Sequence, residues 1–197
     1  MFGTDLPEAW LSYADHCYVS TRLLWFTGFK LEAPVHAHRT VELYLKTFLV
    51  AHGHPISPKE VWGHDLDKLR VKCSKINADF SNADLTKRIQ YFQRYFDLVR
   101  YPTEIEDALS DGTMIWFSWE DNIAPLDEMV AFTRPRIPLS DWDSTLITRL
   151  TIEPEEKSSQ YRALHDSNQQ IAHIACNETH PSEVSFDSSF TSDLPGC

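Results

Sequence analysis

Apolar residues recur at helical spacing through Leu6, Trp10, Tyr13, Cys17 and Leu24, which predicts a first helix over about residues 5–27, with Asp5 and Glu8 spaced as a capping box. A second helix is predicted over about 34–52. Pro34 suits its first turn, Val41, Leu45, Phe48 and Leu49 make its buried face, and Gly53 and Pro55 end it. Asp65 is placed to cap a third helix with the stripe Leu66, Leu69, Cys73 and Ile76. Ser81 or Asn82 opens a fourth, through Leu85, Ile89, Phe92, Phe96 and Val99, and Pro102 stops it. A fifth helix fits 123–133 through Leu126, Met129, Val130 and Phe132, closed by Arg134 and Pro135, and a short one fits near 160–174. The patch Met114 to Phe117 reads as a short strand or a loop folded over the rest. With little period-two alternation, the expected fold is all-α: a four- to five-helix up-down bundle over 1–138, then a partly helical extension over 139–197.

At 197 residues the chain is large enough for one well-cored domain and small for two. The net charge of -11 is unevenly spread. Residues 1–100 carry 13 Lys or Arg against 11 Asp or Glu, and residues 101–197 carry 5 against 18, so the first half can still offer a basic face. From Asn177 onward there is no Lys or Arg, with five Ser and four acids, which predicts an irregular acidic tail. No run of about 18 apolar residues suggests a membrane span and no signal peptide is visible, so a cytoplasmic protein is expected. Cys17, Cys73, Cys176 and Cys197 lack paired spacing, which points to reduced thiols rather than a disulfide framework or a structural zinc site.

Three motifs fall in order over some 70 residues: V-E-L-Y-L-K at Val41 to Lys46, G-H-D-L at Gly63 to Leu66, and R-Y-P at Arg100 to Pro102. In this pattern the segment from Ala33 to Pro102 resembles a HEPN domain, and with the flanking helices the likeness extends over roughly 5–135. The resemblance implies a homodimer formed through bundle faces and a polar groove that binds nucleotide or RNA. Many HEPN proteins are metal-independent ribonucleases that need an Arg followed after four to six residues by a His, the His to move a proton and the Arg to meet the phosphate charge. None of the ten arginines here has a His at that spacing. Arg100 is followed by Ile105, Glu106 and Asp107. The likeness therefore points to the non-nuclease branch, similar to the helical domain that accompanies minimal nucleotidyltransferases. There a partner chain does the transfer chemistry, and no G-S followed by D-x-D is present here.

The residues expected to line such a groove are Arg39, Glu42, Lys46, His64, Asp65, Arg94 and Arg100. Five of them also have a plainer role. Glu42 and Lys46 are spaced as a helix ion pair worth about 0.2 to 0.5 kcal/mol, Asp65 as a helix cap, His64 as a packing or hydrogen-bonding neighbour of helix two, and Arg100 as a C-terminal cation. His36, His38, His52, His54 and His64 cluster around helix two, but residues two apart on a helix diverge, so neither a metal nor any other cofactor is expected. In the run from Tyr91 to Tyr101, Phe92 and Phe96 read as core and Tyr91 and Tyr95 as a helix or dimer contact, with base stacking beside Arg88, Arg94 and Arg100 as the competing role. No Gly-rich phosphate loop and no G-x-S-x-G elbow is present. The expected function is thus a non-catalytic HEPN-like module for a nucleotide, RNA or protein partner, against an enzyme subunit (a diverged ribonuclease or the partner of a nucleotidyltransferase) or a purely structural interaction protein.

Overall fold

The computed structural model describes residues 6–54, 56, 63–101, 103, 105, 106, 110, 118–139, 142, 145–152, 158–171 and 174. Among these the chain is all-α, with no strand. The helices are α1 (Pro7–Phe26), α2 (Glu32–Ala51), α3 (Leu66–Ser74), α4 (Ala83–Val99), α5 (Trp119–Thr133), α6 (Leu146–Ile152) and α7 (Ser159–His165), with 3-10 turns at Ala78–Ser81 and Arg134–Arg136. Asp5, Pro55, Pro102, the patch Met114 to Phe117 and the acidic tail lie outside the described residues.

Local chemistry sets the helix ends. α1 starts with Pro7 at its first turn behind Leu6, which has no capping side-chain bond. Asn82 opens α4, its side chain accepting from the backbone of Asp84 at 2.8 Å and Leu85 at 3.1 Å. Ser118 opens α5 earlier than expected, by accepting from Asp121 N at 3.0 Å. α1 and α2 both end on a glycine in the left-handed region, Gly28 (φ 88°) and Gly53 (φ 76°). In each case the next amide reaches back into the last turn, Phe29 N to Leu24 O and His54 N to Leu49 O, both at 2.9 Å. Only glycine adopts that backbone without strain, so the chain reverses sharply after α1 and lays α2 antiparallel to it.

α2 is the central helix, covered by α1, α3, α4 and α5. Its expected face of Val41, Leu45, Phe48 and Leu49 is buried, but so are Thr40, Glu42, Lys46 and Thr47 on its other sides. In α1 the buried face is Leu11, Ala14, Asp15, Tyr18, Arg22 and Trp25, about one residue round the helix from the predicted stripe. Leu6 and Tyr13 of that stripe are 62% and 54% exposed. The reason is that Asp15 and Arg22 are buried with partners and so complete a face that no hydrophobic pattern selects.

Those partners tie the C-terminal helices to the bundle. Arg22 donates to Asp127 of α5 and to the carbonyls of Ala163 and Asp166 at the end of α7. Tyr18 Oη donates to Asp127 at 2.6 Å and accepts from Asn168 at 2.9 Å. Arg134 pairs with Asp15 at 3.2 Å, itself bonded to Tyr44, and donates to Ile174 O at 2.6 Å. Ile147, Leu164 and Ile174 join the same apolar core as α1 to α5. Helix α6 was not anticipated from sequence. No helix among the described residues is long and apolar enough to cross a membrane.

Candidate functional site

The site is built around Glu42, a carboxylate with no solvent exposure at the middle of α2. An isolated buried carboxylate is prohibitively costly, and this one is met by three donors. Lys46, one turn on, donates to Oε1, and Arg39 Nη1 donates to the same oxygen at 3.1 Å. His64 Nδ1 donates to Oε2 at 2.9 Å from the segment leading into α3. Burial pushes the Glu42 carboxyl up, but the hydrogen bonds from Lys46 and His64 and the charges of Lys46 and Arg39 outweigh it and hold the group below the ordinary glutamate value. Burial lowers Lys46, while Glu42 opposes the shift.

The expected surface pair of Glu42 and Lys46 is therefore a buried one. The few tenths of a kcal/mol expected for a solvated helix pair do not apply, because both charges have lost their water.

The lead-in segment is pinned by several bonds. Lys46 Nζ donates to Gly63 O at 3.2 Å, and His38 Nε2 lies 3.1 Å from His64 O. Leu66 N donates to Gln93 Oε1 at 3.0 Å. His38 is 1% exposed and stacks on Phe96 of α4, ring centroids 3.9 Å apart and planes within 17°. Burial lowers its basicity, which keeps the ring neutral in the stack. Asp65 caps α3 by accepting from Lys68 N at 3.0 Å and pairs with Lys68 Nζ at 2.7 Å, so it holds the segment in place.

A cleft of about 500 Å³ opens over this network. Tyr13 and Cys17 of α1 form one wall, Arg39 and Glu42 the floor, and His64 and Phe96 the opposite wall, with Val35, His36 and His38 completing it. The Arg39 guanidinium lies 5.8 Å from the Tyr13 ring centroid. Burial raises the Cys17 thiol, Arg39 lowers it and Glu42 adds to the rise, so the group is a thiol rather than a thiolate.

Of the residues expected from sequence, Arg39, Glu42, Lys46 and His64 come together. Arg100 sits at the end of α4, its Cζ 5.6 Å from the Phe96 ring centroid and 4.6 Å from that of Tyr101, and does not line the cleft itself. Arg94 is on the exposed side of α4. Arg88, offered for phosphate contact, is buried against Glu128 at 2.7 Å. Tyr91 and Tyr95, read as a helix or dimer contact, are 6% and 2% exposed and stack on each other inside the molecule, because α5 covers that side of α4. Phe96, read as core, faces the cleft instead. His52 bonds its own helix end, Phe48 O, at 2.8 Å. Tyr13, Cys17 and His38 were not anticipated in the site. Tyr13 and Cys17 carry the same spacing as a core stripe, and the one legible signal for His38 is its position one turn before Glu42.

Among the described residues no cluster of three His, Cys, Asp or Glu is arranged to hold a metal ion. The fold and site together define an all-α bundle with a cationic, aromatic-walled cleft beside a buried ion-pair network. Comparison of the chain with protein-family models, curated proteins and solved structures finds no match.

Proposed function

We propose that this chain is a HEPN-like binding module, without phosphodiester cleavage of its own, whose cleft takes a nucleotide or a short stretch of RNA. The observation that carries the reading is the convergence of Arg39 and His64 on one cleft with the rings of Phe96 and Tyr13, over a floor made by Glu42. A guanidinium suits a phosphate, and aromatic faces suit a base. At about 500 Å³ the cleft is of mononucleotide size. Arg100, 5.6 Å from the Phe96 ring that lines the cleft, offers a longer ligand a second cation. The same resemblance favours a homodimer. The exposed Phe26, Phe29 and Leu31 at the α1–α2 turn supply an apolar patch for a second copy.

The test is calorimetric titration of the purified chain with AMP and with a short single-stranded RNA, alongside incubation with that RNA without metal. Binding lost in Arg39→Ala, with the RNA left intact, supports the reading. RNA cleavage that disappears in Arg100→Ala overturns the non-catalytic part, and absence of binding to either ligand overturns the reading. Light scattering of the chain and of Phe29→Asp checks the dimer: a dimer that the substitution breaks is expected.

A further inference from the structure

The charges around Glu42 do not cancel. Lys46 and Arg39 together bring one positive charge more than the single carboxylate neutralises. Lys46 is buried at 1% exposure, so the surplus is presented by Arg39, which is 36% exposed and uses only Nη1 on Glu42. Next to it, His64 is 46% exposed. A carboxylate only accepts hydrogen bonds, so the ring nitrogen facing Glu42, Nδ1, carries the hydrogen. In a neutral ring the other nitrogen, Nε2, is then a bare lone pair.

An anion set against Arg39 would be repelled by that lone pair and held by an N–H in its place. Glu42 is already aligned to stabilise the imidazolium from behind, as carboxylates do for histidines in charged sites. Resting on the reading of the cleft as a nucleotide site, we propose that it is a proton-linked anion clamp, in which a phosphodiester seats between Arg39 and His64 and its binding favours the ring that also carries a hydrogen on Nε2.

The groups around His64 divide on this proton. Arg39 of α2 and Lys46, through its bond to Gly63 O, oppose a further positive charge. Glu42 favours it. His38, 6.4 Å away between ring centroids, is buried and neutral. His36 of α2 and Tyr13 and Cys17 of α1 share the cleft, and α4 contributes Phe96, with the Arg100 guanidinium 5.6 Å from that ring as a further charge opposing the proton. Asp65, next in the chain, is occupied by Lys68. A bound anion adds a negative charge on the Nε2 side of the ring, opposite Glu42.

The probe is a cyclic mononucleotide, whose single negative charge does not change across the working range, with the corresponding nucleoside as the phosphate-free arm and a short RNA as the polymer arm. Titration calorimetry in two buffers of different ionisation enthalpy near pH 6.5 is expected to report net proton uptake on binding. Affinity is expected to be at least about fivefold tighter near pH 5.5 than near pH 8. In His64→Asn the side-chain amide keeps a donor toward Glu42 but has no atom at the Nε2 position. The fold, checked by its melting temperature, is expected to survive while proton uptake and pH dependence vanish. Arg39→Gln is expected to weaken binding at both pH values and to keep the dependence. Equal affinity at both pH values, unchanged proton uptake in His64→Asn, or nucleoside binding as tight as the nucleotide overturns the clamp and leaves the nucleotide reading standing. Failure of all three ligands to bind overturns both.

Discussion

His64 Nδ1 lies 2.9 Å from Glu42 Oε2, a bond between residues 22 positions apart that joins the lead-in of α3 to the centre of α2. Through it a half-exposed side chain in the cleft is held by a carboxylate that water does not reach, so the orientation of the ligand-facing ring depends on the stability of the core network beneath it.

Removing one member of that network is expected to be costly. In Glu42→Gln the buried Lys46 ammonium loses its counter-charge, and a loss of about 3 to 5 kcal/mol is expected in urea unfolding. The double variant Glu42→Leu with Lys46→Met removes both charges and is expected to recover most of that loss, since packed apolar groups often replace a buried pair without penalty. A double variant as unstable as Glu42→Gln would count against the buried-pair account.

The pH dependence of stability follows from two carboxylates of opposite sign. Glu42 is held below its ordinary value of 4.5, so its contribution is present above that pH and is lost as the pH falls below it. The stability advantage of the wild type over Glu42→Gln is expected to shrink on acidification. Burial pushes Asp127 up from 3.8 to about 6, against the pull of Arg22 and Tyr18. Its contribution is present below 3.8 and is lost as the pH rises to about 6. Chemical denaturation of wild type and Asp127→Asn across this window is expected to show the wild type losing ground as the pH rises.

Arg22 joins α1, α5 and the end of α7 by donating to Asp127, Ala163 O and Asp166 O. Arg22→Lys keeps the charge but cannot reach three acceptors with one ammonium, and about 2 to 4 kcal/mol is expected to be lost. Limited proteolysis is expected to cut the segment from α6 to α7 first in the variant. Cleavage elsewhere at an unchanged rate would show that the clasp is not what holds this segment.

Cys17 lines the cleft and Cys73 is fully buried, with burial raising both thiols. Alkylation followed by peptide mass spectrometry is expected to label Cys17 well before Cys73, faster as the pH rises, and more slowly with nucleotide bound. Labelling of Cys17 indifferent to nucleotide would place the ligand elsewhere.

The all-α class, α2 to α5 within a few residues of their ends, and the cap at Asp65 were legible because periodicity, Pro, Gly and short polar caps act locally. Half the site was legible too. The four-residue spacing of Glu42 and Lys46 and the G-H-D-L around His64 marked residues that do meet.

What only the tertiary structure decided is which of these side chains lose water. Glu42 and Lys46 have the pattern of a surface pair, and they are buried because α1, α3, α4 and α5 pack around the middle and C-terminal half of α2. Tyr13 and Cys17 have the spacing of a core stripe, and they face a cleft because Asp15 and Arg22, matched by Arg134 and Asp127 from distant helices, take the buried face of α1. Spacing along a helix records which residues share a side. Which side is inside depends on partners more than a hundred residues away, and the chain pattern carries no trace of that pairing.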